Sequence, residues 1–221
     1  RGPLEPADRH GISRMNLPRV YPIVDCAAWI APLAAAGVRL VQLRIKEQPE
    51  ERVRLEIESA RVHCQAAGVQ LIINDYWRLA LGCGCDFVHL GQGDLDGADL
   101  PALRRAGVRL GISTHDEAEL ERALALGPDY VALGPVYPTL LKTMPWRPQG
   151  LARVTEWKRR VGAIPLVAIG GITLERLPGV FAAGADVAAV VTDIVRASNP
   201  EERVRQWLAV AGAVRRERLS A

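Results

Sequence analysis

Eight short apolar runs, each followed by a longer segment of mixed character, recur along almost the whole chain. The runs are Val20–Val24, Leu40–Ile45, Gln70–Ile73, Phe87–Leu90, Arg109–Ile112, Tyr130–Leu133, Leu166–Ile169 and Val187–Val191. Segments such as Glu47–Ala67, His115–Leu126, Leu151–Val161 and Thr173–Ala183 read as amphipathic helices. Regular alternation of strand and helix implies a parallel sheet covered by helices. Gly37, Gly68, Gly107, Gly127 and Gly184 stand where helices should stop, because glycine takes the left-handed conformation at a helix end without steric cost. Eight units of roughly 25 residues suit a compact single-domain (β/α)8 TIM barrel of the α/β class. A doubly wound open sheet is the alternative and usually has fewer strands. The pattern predicts an N-terminal extension over residues 1–19 and one barrel domain over residues 20–221.

Composition agrees. The 221 residues are 49% hydrophobic, enough for a large core, and only 5% aromatic, which disfavours an all-β sandwich. A formal net charge of +3 implies neither a nucleic-acid nor a membrane partner. No run of about 18 apolar residues suggests a membrane span. The stretch Arg1–Met15 lacks the apolar core of a signal peptide, so a cytoplasmic location is expected. Cys26, Cys64, Cys83 and Cys85 are too few for a disulfide scaffold. The single Cys83-x-Cys85 reads as reduced, buried thiols rather than as a metal site. Lysine occurs only at Lys46, Lys142 and Lys158, so positions that keep it stand out against an arginine background.

A barrel concentrates function at the C-terminal ends of its strands. After the second run, Gln42, Arg44 and Lys46 alternate with Val41, Leu43 and Ile45. Side chains alternate faces along a strand, so the polar set points into the barrel mouth. Two cations aimed at one cavity call for an anionic partner such as a phosphate or pyrophosphate; the competing reading is an edge strand with a wet face. Asn74 and Asp75 end the third run, and Asp94 follows the fourth. Two carboxylates beside a pyrophosphate suit Mg²⁺, although Asp75 could instead cap the next helix. His89 reads as structural. Ser113 offers a hydroxyl after the fifth run, and Thr114–Asp116 read equally well as a capping segment. The stretch Pro135–Pro148 is the longest irregular segment and carries Thr139, Leu141 and Lys142. Gly170-Gly171 before a helix, together with Val191 and Thr192, suggests a second phosphate site.

Six motifs in order make a family recognisable: Q-L-R-I-K (Gln42–Lys46), I-N-D (Ile73–Asp75), H-L-G-Q-G-D (His89–Asp94), G-I-S-T-H (Gly111–His115), G-P-V-Y-P-T (Gly134–Thr139) and A-I-G-G-I (Ala168–Ile172). Over about Tyr21–Ala209 the chain resembles the thiamine-phosphate synthases. The resemblance implies a (β/α)8 barrel that joins hydroxymethylpyrimidine diphosphate to a thiazole phosphate, releasing diphosphate. It implies that Gln42, Arg44, Lys46, Asn74, Ser113 and Lys142 bind the pyrimidine diphosphate, that Arg44, Lys46, Ser113 and Lys142 are the catalytic residues, and that Arg44, Lys46 and Lys142 neutralise the leaving group. It further implies that Asp75 and Asp94 hold Mg²⁺ and that Thr139, Gly171, Val191 and Thr192 contact the thiazole phosphate. The implied partners are these small molecules, with no nucleic acid or membrane; a homo-oligomer is left open. Leu141 stands where the family pattern P-T-x-T-K has its second threonine, and Thr192 stands where it has serine. Competing readings are a thiazole tautomerase-like paralogue, which carries histidine where Pro135 stands, an epimerase-type phosphate barrel, and a non-catalytic barrel that binds thiamine phosphates.

Overall fold

A computed structural model describes residues 16–139 and 146–220. Eight parallel strands close into a barrel in chain order: β1 (Val20–Val24), β2 (Leu40–Leu43), β3 (Gln70–Asn74), β4 (Phe87–Leu90), β5 (Arg109–Thr114), β6 (Tyr130–Leu133), β7 (Leu166–Ala168) and β8 (Val187–Val190). Strand β8 pairs with β1 through Val20 opposite Ala188 and Pro22 opposite Val190, which completes the ring. Around it lie α1 (Ile30–Ala35), α2 (Glu50–Ala67), α3 (Trp77–Gly82), α4 (Gln92–Leu95), α5 (Leu100–Arg105), α6 (Glu117–Ala125), α7 (Gly150–Val161), α8 (Leu177–Ala182), α9 (Thr192–Val195) and α10 (Pro200–Ser220). The closed barrel is the expected fold.

The five glycines predicted to stop helices all have positive φ, between 61° at Gly127 and 113° at Gly184. Element starts are set by local chemistry. Asp116 accepts a hydrogen bond from the Glu119 N–H at 2.9 Å and so caps α6, while Asp99 caps α5 through the Ala102 N–H at 2.8 Å. Helix α8 begins at Leu177, later than the expected Thr173, because Pro178 fits only the first turn and would collide with the carbonyl of a preceding one. Helix α2 begins at Glu50, after the extended Pro49, rather than at Glu47. Strand β2 stops at Leu43, two residues early; β1 ends at Val24, whose carbonyl accepts the Arg44 N–H at 2.8 Å as the last rung.

Strand alternation sorts two cores. Val41, Leu43, Ile73, Val88, Leu90, Ile112, Val131 and Leu133 face outward and pack with helical residues such as Ile57, Leu120, Val154 and Trp157. Inside the barrel, Tyr21, Ile23, Leu40, Ile72, Phe87, Tyr130, Val167 and Val187 form a separate buried cluster. The C-terminal layer above it is polar: Gln42, Asn74 and His89 are 3%, 6% and 8% exposed. The fold thus buries an apolar plug and leaves polar side chains at one mouth. Cys64 and Cys85 are buried, whereas Cys26 and Cys83 are only partly so, which corrects the expectation of a buried Cys83. Among the described residues no helix is long and apolar enough to cross a membrane.

Candidate active site

A cavity of about 580 Å³ opens at the C-terminal ends of the strands. Gln42, Arg44, Lys46, Asn74, Asp75, Asp94, Ser113, Thr139, Gly171, Val191 and Thr192 all line it. Leu141 and Lys142 lie outside the described residues.

On one side the cavity is cationic. Arg44 is half-buried at the end of β2 and pairs with no carboxylate of the described residues. Lys46, 46% exposed at its side chain, does have a protein partner: its ammonium meets the Asp75 carboxylate. Lys46, unlike Arg44, thus has a carboxylate partner among the described residues. Asp75 does not cap α3, which has Tyr76 at its N-cap position and no side-chain cap. Instead Asp75 adopts φ 64°, and its N–H donates to the His89 carbonyl at 3.0 Å. Asp and Asn tolerate the left-handed region better than most residues, and here it turns the carboxylate toward the mouth. Among the described residues Glu47, next to Lys46, is the other non-glycine residue with positive φ, at 55°.

Asp94 lies beside Asp75. Burial, and the nearby Asp75 charge, raise the Asp94 carboxyl above its ordinary range, while the Gly91 N–H (3.0 Å) and Lys46 pull it back. Two facing carboxylates with incomplete compensation are a donor set for a hard divalent cation, which takes one or two carboxylates and completes its shell with water or substrate oxygens. Among the described residues no group of three or more His, Cys, Asp or Glu converges. Asn74 carries a further sign of an absent ligand: its buried Nδ2 has no hydrogen-bond partner, although buried amide donors are almost always satisfied.

Beneath these groups runs a chain of hydrogen bonds that sequence reasoning missed. Gln42 Nε2 donates to the Tyr21 hydroxyl at 2.8 Å, and the Tyr21 and Tyr130 hydroxyls are 3.1 Å apart. The Tyr130 hydroxyl lies 2.7 Å from His89 Nδ1, and His89 Nε2 lies 2.8 Å from Ser113 Oγ. Tyr130 also stacks on the imidazole, 5.5 Å between centroids and 11° off parallel. Burial holds the His89 ring down to about 4, so it is neutral near neutral pH. The structural reading of His89 holds, with the addition that it touches the cavity. One signal was present: Gly111 interrupts β5, and a Cβ there would sit 2.1 Å from Tyr130 Cζ, so glycine makes room for the phenol.

The opposite rim is built by backbone. Gly170 and Gly171 have φ of 98° and 62°, and a Cβ on either would meet Pro135 Cα at 2.6 Å or the Pro138 carbonyl at 2.4 Å. Val136 and Tyr137 donate their N–H groups to the Ile169 and Gly170 carbonyls at 2.9 and 3.0 Å. The glycines therefore allow the β6 and β7 loops to touch. The expectation that they stand directly before a helix is corrected, because α8 starts six residues further on, at Leu177. Val191 and Thr192 instead begin the short α9 at this rim. His115 stacks on Trp146 at 5.2 Å and its Nδ1 lies 2.7 Å from Glu119.

Fold and cavity together define a class: a (β/α)8 barrel whose strand ends form a mouth lined by Arg44 and Lys46 on one hand and by Asp75 and Asp94 on the other. Comparison with known proteins narrows it. Residues 20–194 match the family model described as thiamine monophosphate synthase, and the chain belongs to that family. It is 64% identical over 195 residues to the thiamine-phosphate synthase of Rhizobium etli, covering 88% of this chain and 96% of that one. It is 49% identical over 193 residues to the Salmonella agona thiamine-phosphate synthase, covering 87% and 92%. Among solved structures, thiamine phosphate pyrophosphorylase from Pyrococcus furiosus superposes with TM-score 0.81 at 24% identity, over 91% of this chain and 98% of that one, and supports the fold.

Proposed function

We propose that this chain is a transferase that couples hydroxymethylpyrimidine diphosphate with thiazole phosphate, giving thiamine phosphate and diphosphate. Membership of the family and the two high-identity relatives support the overall reaction. The observation that carries the site is that Arg44, Lys46, Asp75, Asp94 and the unpartnered Asn74 Nδ2 meet in one cavity, although three different strand ends supply them.

In this reading Arg44 and Lys46 receive the diphosphate, Arg44 as a planar fork and Lys46 as a point charge. Gln42 and Asn74 orient the pyrimidine, and Ser113 donates to the same substrate. Asp75 and Asp94 would hold Mg²⁺, which when bound neutralises charge on diphosphate oxygens. The bond between the pyrimidine methylene carbon and the diphosphate oxygen breaks, the electron pair leaves with diphosphate, and the ring delocalises the cation. The thiazole nitrogen then supplies the pair for the new carbon–nitrogen bond. No proton has to be removed for that bond, which agrees with the state of the two described histidines that line the cavity: His89 is engaged at both nitrogens and His115 is held by Glu119. Catalysis rests on orientation and on fixed cations at the leaving group. Thr139, Gly171, Val191 and Thr192 would hold the thiazole phosphate at the opposite rim. For Lys142 and Leu141 the support is the sequence resemblance alone.

The test is to incubate the pure protein with both substrates and MgCl₂ and to measure thiamine phosphate and diphosphate. Product is expected, with kcat/KM lowered about 10²-fold or more in Arg44→Ala, and lost in Asp94→Ala or with excess chelator. Binding of both ligands without turnover would make the chain a thiamine-phosphate-binding barrel instead.

A further inference from the structure

The polar chain across the barrel floor begins from a donor of fixed direction. Gln42 Nε2 is only a donor, so the Tyr21 oxygen accepts from it. The Tyr21 proton can then point to the Tyr130 oxygen, 3.1 Å away, which leaves the Tyr130 proton for His89 Nδ1 at 2.7 Å. A neutral imidazole with an accepting Nδ1 carries its proton on Nε2, and Nε2 faces Ser113 Oγ at 2.8 Å. Ser113 Oγ therefore spends acceptor capacity on His89, and its own proton is left to point elsewhere. Ser113 lines the cavity, and the Gln92 amide holds its carbonyl at 2.8 Å, which fixes the strand end. The four linking groups Gln42, Tyr21, Tyr130 and His89 are all buried, so bulk water does not compete strongly for these bonds.

We infer that Gln42, Tyr21, Tyr130 and His89 form a one-way hydrogen-bond relay that presents the Ser113 hydroxyl to the cavity as a donor. Tyr130 and His89 are thereby positioning residues: they reach the reacting group through Ser113. The inference rests on the proposed role of Ser113 toward the pyrimidine diphosphate. Every bond in the relay is made before substrate arrives, so the Ser113 O–H needs no reorientation when charge grows on the leaving group. Gly111 belongs to the same device, since Tyr130 occupies the space its Cβ would fill.

Two measurements on the full-length protein test this. The first is the histidine tautomer, read from long-range proton–nitrogen spectra of ¹⁵N-histidine-labelled protein without substrate. The expected signal for His89 is a proton on Nε2 with Nδ1 unprotonated, and Tyr130→Phe is expected to shift it toward a mixture. A proton on Nδ1 in the unsubstituted protein overturns the direction of the relay. The second is a double-substitution cycle on turnover. Tyr130→Phe is expected to lower kcat about tenfold with KM for the pyrimidine diphosphate changed less than about twofold. In a Ser113→Ala background the same substitution is expected to cost nothing further. Equal losses in both backgrounds, or an unchanged kcat in Ser113→Ala, would overturn it. A protein that forms no product at all refutes the proposed reaction, while the tautomer spectrum still decides the relay.

Discussion

Asp75 and Asp94 converge at the mouth, and Lys46 meets one of them directly. Burial and a like charge raise Asp94, so its ionised form is disfavoured in the folded chain. A raised carboxyl costs stability at pH values above its range and ceases to do so as pH falls through it. Replacing Asp94 by asparagine removes the repulsion and retains an oxygen for the Gly91 N–H. Asp94→Asn is expected to raise the melting midpoint at neutral pH while losing metal-dependent turnover. A lower midpoint, measured by scanning calorimetry, would show that the Asp94 charge supports the fold. The residues were readable as a set because strand alternation put Gln42, Arg44 and Lys46 on one face. What sequence left open was the use of each charge: the Lys46–Asp75 pair follows from the left-handed backbone at Asp75, and no propensity announces that conformation for a single aspartate.

Helix α7 shows how an element is locked to the barrel that holds the site. Trp157 is fully buried, and its Nε1 donates to Thr114 Oγ1 at 2.9 Å. That oxygen also donates to the Ala132 carbonyl at 2.9 Å, so one hydroxyl ties α7, β5 and β6 together next to Ser113. Arg153 lies over the same indole at 4.3 Å. Thr114→Val keeps shape and volume but leaves a buried indole N–H without a partner. It is expected to cost about 1–3 kcal/mol, read from urea midpoints, with little change in m. Thr114 looked like part of a helix cap in the sequence. It is the last residue of β5, facing outward, and the capping falls to Asp116. The apolar run Arg109–Ile112 stops two residues before β5 does, because Ser113 and Thr114 are not apolar, yet both keep the ladder, opposite Ala132 and Leu133.

At the scale of the whole molecule, the closed barrel brings Tyr21 and Tyr130 together although 109 positions separate them. Their polar chain sets how stability responds to acid. His89 titrates near 6.5 in an unfolded chain and is held down to about 4 in the fold. Its neutral form therefore contributes stability that is fully present above 6.5. As pH falls from 6.5 toward about 4, the unfolded chain takes up a proton that the folded one refuses, and the contribution is lost. The full effect of this one ring is about 3 kcal/mol across that window. Urea midpoints of the unsubstituted protein are expected to fall over this range more steeply than those of His89→Gln. Parallel slopes would mean that other groups carry the acid sensitivity.

Much of this protein follows from its sequence alone. Eight apolar runs separated by segments of mixed character, five of which end at a glycine stop, admit few arrangements other than a closed parallel barrel, because each strand needs neighbours and both faces need cover. The barrel then dictates that residues after each strand share one mouth, so Arg44, Asn74, Asp94, Ser113 and Thr192 could be gathered from sequence. The tertiary structure decided what local pattern does not encode. Tyr21 and Tyr130 sit in apolar runs and read as core; only closure across the barrel brings their hydroxyls together. Gly170 and Gly171 read as a phosphate loop; only the packing of the β6 and β7 loops shows that a Cβ would collide with Pro135 and Pro138. Periodicity reports which face a side chain takes, whereas the partner it finds there is set by residues that are distant in the chain and adjacent only once the ring has closed.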